Sequence, residues 1–197
     1  MSSFYEANAE MFILNTRNVD MSEFQNRFLA ALPVVEGRRA RILDAGSGSG
    51  RDARAFQLLG YDVEAFDASL AMVEATRKYA GVVTQCMRFE DFTWDHPFEG
   101  IWACASLLHV AEQKLPNVID KLAASLTPGG VLFLSFKLGA GERLKDGRRF
   151  TDMDADRLTT LLKGCNELSL PEIWLSSDGR RERASETWVN ALVRTRS

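Results

Sequence analysis

RILDAGSGSGRD, residues 41–52, sets three glycines into five positions directly behind an apolar run that closes on an acid. The apolar run ARILDA reads as a short buried strand, and RDARAFQLLG behind the glycines reads as a helix that Gly60 closes. A strand, a glycine turn and a helix start bring the backbone close to whatever is bound there, because glycine has no Cβ to intervene. The rest of the chain has to say what that is.

Outward from this stretch, strand and helix patterns alternate. YDVEAFD is a second strand ending at Asp67, and SLAMVEATRKYAG is a helix with Ser69 at its cap and Gly81 at its end. VVTQCM and GIWACAS are strands three and four; KLPNVIDKLAASL is a helix halted by TPGG, and VLFLSF is strand five. ADRLTTLLKG is a further helix, and LSLPEIWL and TWVNALVR close the chain as two strands. Upstream, SEFQNRFLAAL (residues 22–32) has helical apolar spacing, with Ser22 as its cap and Pro33 marking its end. Strands that read as continuous apolar runs belong to a mostly parallel sheet covered on both faces. The expected fold is α/β, doubly wound and seven-stranded, in one domain over residues 1–197. In such a sheet the ligand sits beyond the carboxyl ends of the strands, where the winding reverses, and the glycines follow the first core strand.

Bulk composition narrows the partners. With 24 Lys and Arg against 27 Asp and Glu there is no global basic field to hold nucleic acid. No apolar run approaches the roughly 18 residues of a membrane span, and MSSFYEANAEMF lacks the pattern of a signal peptide. Cys86, Cys104 and Cys165 are widely spaced, which argues against a disulfide framework and against a zinc site. The first two read as small buried residues of strands. The expectation is a cytoplasmic protein with no metal, no membrane or nucleic-acid partner and a small-molecule substrate; its oligomeric state is open.

Three ligands compete for the glycine turn. A triphosphate loop needs G-x-x-x-x-G-K-[ST], but Arg51 stands five positions after Gly46 and no Lys-Ser or Lys-Thr follows. A dinucleotide fingerprint fits Gly46 and Gly48 but puts Arg51 where its third small residue belongs. The spacing that fits is D-x-G-x-G-x-G, with Asp44 at the strand end and Asp67 following 17 residues beyond Gly50. An acid at Asp67 suits ribose hydroxyls with either a dinucleotide or a methyl donor.

This pattern resembles the first motif of the class I S-adenosylmethionine-dependent methyltransferases. MRFEDFTW, EGIWACASLLHV and LTPGGVLFLSF resemble that family's successive segments, over about residues 40–136. LLHV together with SFKLGAGERLKDGRRFTD resembles a small bacterial subgroup related to tellurite-resistance proteins, a label of ancestry more than of substrate. In that subgroup YEANAEMF and TRNVDMSEF resemble a helical cap over the cofactor, so residues 1–35 are expected to cap an α/β core of residues 36–197.

The resemblance implies S-adenosylmethionine as cofactor and assigns residues to it. Gly46, Gly48 and Gly50 would lie against it. Asp44 would face its ammonium and Asp67 its ribose hydroxyls. Met87, Arg88 and Phe89 would frame the adenine, and Ala105 would line the sulfonium side. Each has a plainer reading: Asp44 caps the loop, Asp67 begins a turn, Phe89 is core. His109, just past strand four, is the candidate base, set against a role in packing a helix start. His96 in WDHPF reads as a solvated turn. Two basic clusters, residues 137–149 and Arg180, Arg181 and Arg183, read as solvated loops or as the mouth that recognises an anionic acceptor. Arg148 and Arg149, beside Phe150, are the candidate substrate residues and a candidate lid. Glu99, where the family more often has Asp, reads as a neutral departure. No Asn or Asp followed by Pro-Pro and an aromatic stands after strand four, which disfavours amino methylation of adenine or glutamine. Small-molecule methylation is the expected function; its rivals are methylation of a metalloid oxyanion such as tellurite, a nicotinamide-dependent oxidoreductase, and a cofactor-binding protein without catalysis.

Overall fold

The computed structural model describes residues 2–196. Five parallel strands form its centre: β1 (Arg41–Ala45), β2 (Asp62–Asp67), β3 (Val83–Cys86), β4 (Phe98–Ala103) and β5 (Leu126–Lys137). A hairpin, β6 (Gly141–Lys145) and β7 (Arg148–Asp152), stands apart, and β8 (Glu172–Ser177) and β9 (Thr187–Arg194) complete the main sheet. The seven-stranded order is β3-β2-β1-β4-β5-β9-β8, with β9 antiparallel to β5 and β8 antiparallel to β9. The winding reverses between β1 and β4, so the glycine turn after β1 and the turn after β4 face each other across the switch point.

Residues of β4 are buried along its whole length, as a central parallel strand requires. Around its middle, Trp102 stacks on Phe133 with ring centroids 4.0 Å apart and meets Phe28 and Phe56 edge-on. Phe28 comes from α3 (Ser22–Ala31), which therefore packs on the sheet as a core helix. Its cap differs from the sequence reading: Asp20 accepts the Ser22 N–H, and Met21 occupies the cap position. On the opposite face, α6 (Leu115–Ala124) buries Leu115, Val118, Ile119 and Leu122, a helical stripe. The helices α4 (Arg51–Leu58) and α5 (Leu70–Ala80) follow β1 and β2, and α5 has the expected Ser69 cap and left-handed Gly81 end. The remaining helices are α7 (Ala155–Lys163) and, at the N-terminus, α1 (Ser2–Ala7) and α2 (Ala9–Thr16).

Three other expectations are corrected. Strand five runs back through the TPGG segment to Leu126, because Leu126 pairs with Phe98 across a bulge. Cys86 is exposed, since β3 is a sheet edge. Glu99 is not neutral: it is 1% exposed, pairs with Arg38 through both oxygens and accepts the Arg41 N–H at 2.7 Å. Arg38 beside it helps to hold its carboxyl below the usual range against the upward push of burial. The acid thus anchors the start of β1 to β4. Among the described residues, no helix is long and apolar enough to cross a membrane, and no three metal-ligating side chains converge.

Candidate active site

Backbone conformation builds the site before any side chain does. Gly46 has φ +80, and a Cβ there would lie 2.4 Å from the Ser106 Cβ. Its N–H and that of Ser47 both donate to the Phe66 carbonyl, tying the turn to the end of β2. Gly48 has φ +52, and a Cβ there would press to 3.1 Å on the Phe12 ring. Gly50 works differently from the sequence reading. Its missing Cβ makes room for the Thr76 backbone at 2.9 Å, so this glycine serves the packing of α4 against α5. Across the switch point Ala105 takes φ 53, a left-handed conformation unusual for a residue with a Cβ. It is held there by its N–H on the Ser135 Oγ at 2.8 Å, while the Ser106 hydroxyl donates to the Ala45 carbonyl at 2.7 Å. Strain locked by neighbours in this way is typical of ligand sites.

Two adjoining cavities open over these turns, of about 310 and about 370 Å3. They share Tyr5, Phe12, Gly46, Gly48, Ala105 and His109 as a common wall. The larger one is lined by Asp67, Met87, Arg88 and Phe89, the set assigned to ribose and adenine. Asp67 accepts the N–H groups of Gly48 and Ser69 at 2.9 Å each, and burial pushes its carboxyl upward against those bonds. The smaller cavity reaches Asp44, which accepts the Ala53 N–H at 3.0 Å at the start of α4. Burial, and then the charge of nearby Asp52, push Asp44 well above the carboxylate range. A bound cation beside it would restore the ionised form. Below it, Asp52 takes hydrogen bonds from Gln25, Trp102 and both ends of the Arg51 guanidinium. Burial pushes the Cys104 thiol up to about 12, so this residue on the cavity wall is a protonated thiol.

The basic residues of the smaller cavity are mostly neutralised. Arg143 is bound by two points to Asp152, Arg180 by two points to Asp178, and Lys137 pairs with Glu186. Arg181 lies outside the described side chains. The segment read as a loop is the hairpin β6–β7, turned by Asp146 and Gly147, both at positive φ. That Asp-Gly pair is a hairpin signal the sequence did contain. The two candidate substrate arginines separate. Arg149 lines the larger cavity and pairs with Glu142 at 2.5 Å. Arg148 lines the smaller one, stacked over Phe4 with its guanidinium 3.8 Å from the ring centroid. Its side chain is 15% exposed; its Nε is buried with no partner, and its nearest carboxylate is the exposed Asp146 at 3.4 Å.

His109 is pinned at both nitrogens. Nδ1 lies 2.8 Å from the Arg149 carbonyl and Nε2 lies 2.7 Å from the Tyr5 hydroxyl. Burial, with Arg148 nearby, lowers it to about 4, so the ring is neutral at physiological pH. Tyr5 and Phe12 are the residues the sequence reading missed. Their seven-residue spacing in YEANAEMF puts aromatics on one helical side, a signal weakened by the break between α1 and α2.

Comparison with known proteins places this architecture. A family model described as a methyltransferase domain matches residues 15–174, and the chain belongs to that family. Ubiquinone biosynthesis O-methyltransferases are similar over shorter spans: 31% identity over 100 residues for the protein of Nitrobacter winogradskyi, and 33% over 116 for that of Xanthomonas campestris pv. campestris. Those matches take in 48% and 55% of this chain but only 38% and 46% of the relatives. Among solved structures, the 1,6-didemethyltoxoflavin-N1-methyltransferase of Burkholderia thailandensis, bound to its substrate and S-adenosylhomocysteine, is 20% identical with a TM-score of 0.76, covering 100% of this chain and 87% of that one. NodS of Bradyrhizobium japonicum, an N-methyltransferase bound to S-adenosylhomocysteine, is 16% identical with a TM-score of 0.70, covering 98% of each chain. At these identities the likeness shows the fold.

Proposed function

We propose that this chain transfers the methyl group of S-adenosylmethionine to a small molecule that carries an anionic group. One observation carries the reading: two carboxylates, Asp44 and Asp67, close neighbouring strands on either side of a glycine turn whose Gly46 has no room for a Cβ. A long ligand with a ribose at one end and an ammonium at the other fits that spacing of acids. Asp67 would hold the ribose hydroxyls, Met87, Arg88 and Phe89 would frame the adenine, and Asp44 would face the ammonium. The cofactor supplies an electrophilic methyl group on a positively charged sulfur. The residues then have three tasks: to align the acceptor, keep water out and take up a proton. Tyr5 and Phe12 of α1 and α2 are the capping part of residues 1–35. Arg148, whose buried Nε has no partner and whose one carboxylate neighbour is the exposed Asp146, is the residue we assign to the acceptor's anionic group.

Membership of the methyltransferase family leaves the nicotinamide reading without support. The test is a calorimetric titration with S-adenosylmethionine and, separately, NADH, on the wild type and on Asp67→Ala, followed by an S-adenosylhomocysteine release assay over an acceptor panel. Micromolar binding of S-adenosylmethionine, weakened by the substitution, supports the reading. Absence of that binding overturns it. Binding without release for any acceptor marks a non-catalytic binder. Release with tellurite alone marks metalloid chemistry.

A further inference from the structure

Two side chains in the wall between the two cavities, Tyr5 and His109, can move a proton. His109 must donate from Nδ1 to the Arg149 carbonyl, because a carbonyl oxygen only accepts. That fixes the tautomer and leaves Nε2 with a bare lone pair. The hydroxyl 2.7 Å away on Tyr5 must therefore donate to it. With its one proton committed, the Tyr5 oxygen keeps its lone pairs, one for the Arg148 guanidinium beside it and one for a donor in the cavity. The geometry is held from several sides. Tyr5 packs edge-on against Phe12 and His109, and His109 packs edge-on against Phe150. Glu6, next to Tyr5, takes hydrogen bonds from the Ser69 hydroxyl and the Ala71 N–H, which moors α1 to the start of α5. The Arg148 guanidinium, stacked over Phe4, lies 5.8 Å from the Tyr5 ring centroid.

We propose that Tyr5 is a catalytic residue that relays the acceptor's proton to His109, and hence that the acceptor is a protic nucleophile, an O–H or N–H group, on a molecule whose anionic group sits at Arg148. This rests on the functional reading above. In the step, the acceptor's lone pair forms a bond to the methyl carbon as the carbon–sulfur bond breaks, and that bond's electron pair passes to sulfur. The O–H or N–H proton moves to the Tyr5 oxygen, and the proton of Tyr5 moves to Nε2, which becomes imidazolium and later releases it to water. A metalloid or thioether lone pair carries no proton, and for such an acceptor the wired pair would have no work. Burial keeps Tyr5 a neutral phenol and His109 a neutral imidazole at physiological pH, the states from which this relay starts. The matched relatives named above are O-methyltransferases and the two structural neighbours named above are N-methyltransferases, both protic chemistries.

The first test needs no acceptor. Nitrogen-15 NMR of the histidine rings, on protein saturated with S-adenosylhomocysteine at pH 7, should show His109 neutral with the proton on Nδ1. Tyr5→Phe, which keeps the ring packing, should shift the Nε2 resonance alone. A ring protonated on Nε2, a charged ring, or an Nε2 resonance indifferent to the substitution overturns the relay. The second test compares 3,4-dihydroxybenzoate, glycine and O-phosphoserine with tellurite in the S-adenosylhomocysteine release assay. Turnover of a protic carboxylate or phosphate, with kcat falling at least about 100-fold in Tyr5→Phe while S-adenosylmethionine affinity changes less than about twofold, supports it. Turnover of tellurite alone, or a Tyr5→Phe variant with unchanged kcat, sinks it. Loss of S-adenosylmethionine binding in the wild type would instead defeat the functional reading itself, and the two failures are told apart by calorimetry.

Discussion

The two halves of the cleft are charged and wired in opposite ways. On the side proposed to hold the cofactor, Asp44 and Asp67 are acids pushed upward by burial, and their partners in this structure are backbone N–H groups of the turns they brace. On the side proposed to hold the acceptor the cavity carries seven Lys and Arg side chains, and several are spent on pairs with acids, two-point in Arg143–Asp152 and Arg180–Asp178. Arg148 stands apart from that pattern. The difference teaches where selectivity resides. On the proposed reading, the half built from backbone turns would recognise one ligand shape, whereas the half built from paired side chains would select acceptors through the one guanidinium whose buried Nε has no partner.

The largest effect should come from breaking the backbone half. Gly46→Ala forces a Cβ onto Ser106 in a left-handed conformation, and S-adenosylmethionine affinity should fall more than about 100-fold by calorimetry. Asp67→Ala removes the anchor of Gly48 and the proposed ribose acceptor together; the loss should be about 2 kcal/mol, read as roughly a 30-fold rise in Kd. On the other half, Arg148→Met keeps the stacking over Phe4 but drops the charge. It should raise the KM for an anionic acceptor about tenfold and leave S-adenosylmethionine affinity unchanged, which would sharpen the contrast between the halves. If both affinities fell together, the division into halves would be wrong.

The smallest effect is on stability against pH. His109 is lowered from 6.5 to about 4, so between those values the unfolded chain binds a proton that the folded chain refuses. Its contribution to stability is therefore present above pH 6.5 and declines as the pH falls to about 4. Urea melts across that window should show a shallower acid loss in His109→Gln than in the wild type. Asp178, held near 2 against the push of burial by its bonds to Arg180, loses its contribution only at lower pH and leaves the window clear.

Particular residues show what could be read in advance. Gly46, Gly48, Asp44 and Asp67 stand where their spacing placed them, as do the Ser69 cap and the left-handed Gly81. Gly50 was legible as a glycine but not as a packing glycine, because its neighbour Thr76 lies 26 positions away. Glu99 looked neutral for the same reason: its partner Arg38 is 61 residues distant. The hairpin was written in Asp146-Gly147, yet the run of charge around it read as a solvated loop.

What the sequence by itself determined is whatever rests on local backbone chemistry. A positive φ favours glycine, a strand buried on both faces favours an apolar run, and an acid at a strand end marks the switch point. The tertiary structure alone decided which distant groups meet. Tyr5 reaches His109 across 104 residues, the Arg149 carbonyl selects the tautomer from 40 residues away, and the Arg148 Nε is left buried without a partner. Such meetings depend on how helices and strands pack in space, and side-chain identity carries no record of that until the chain has folded.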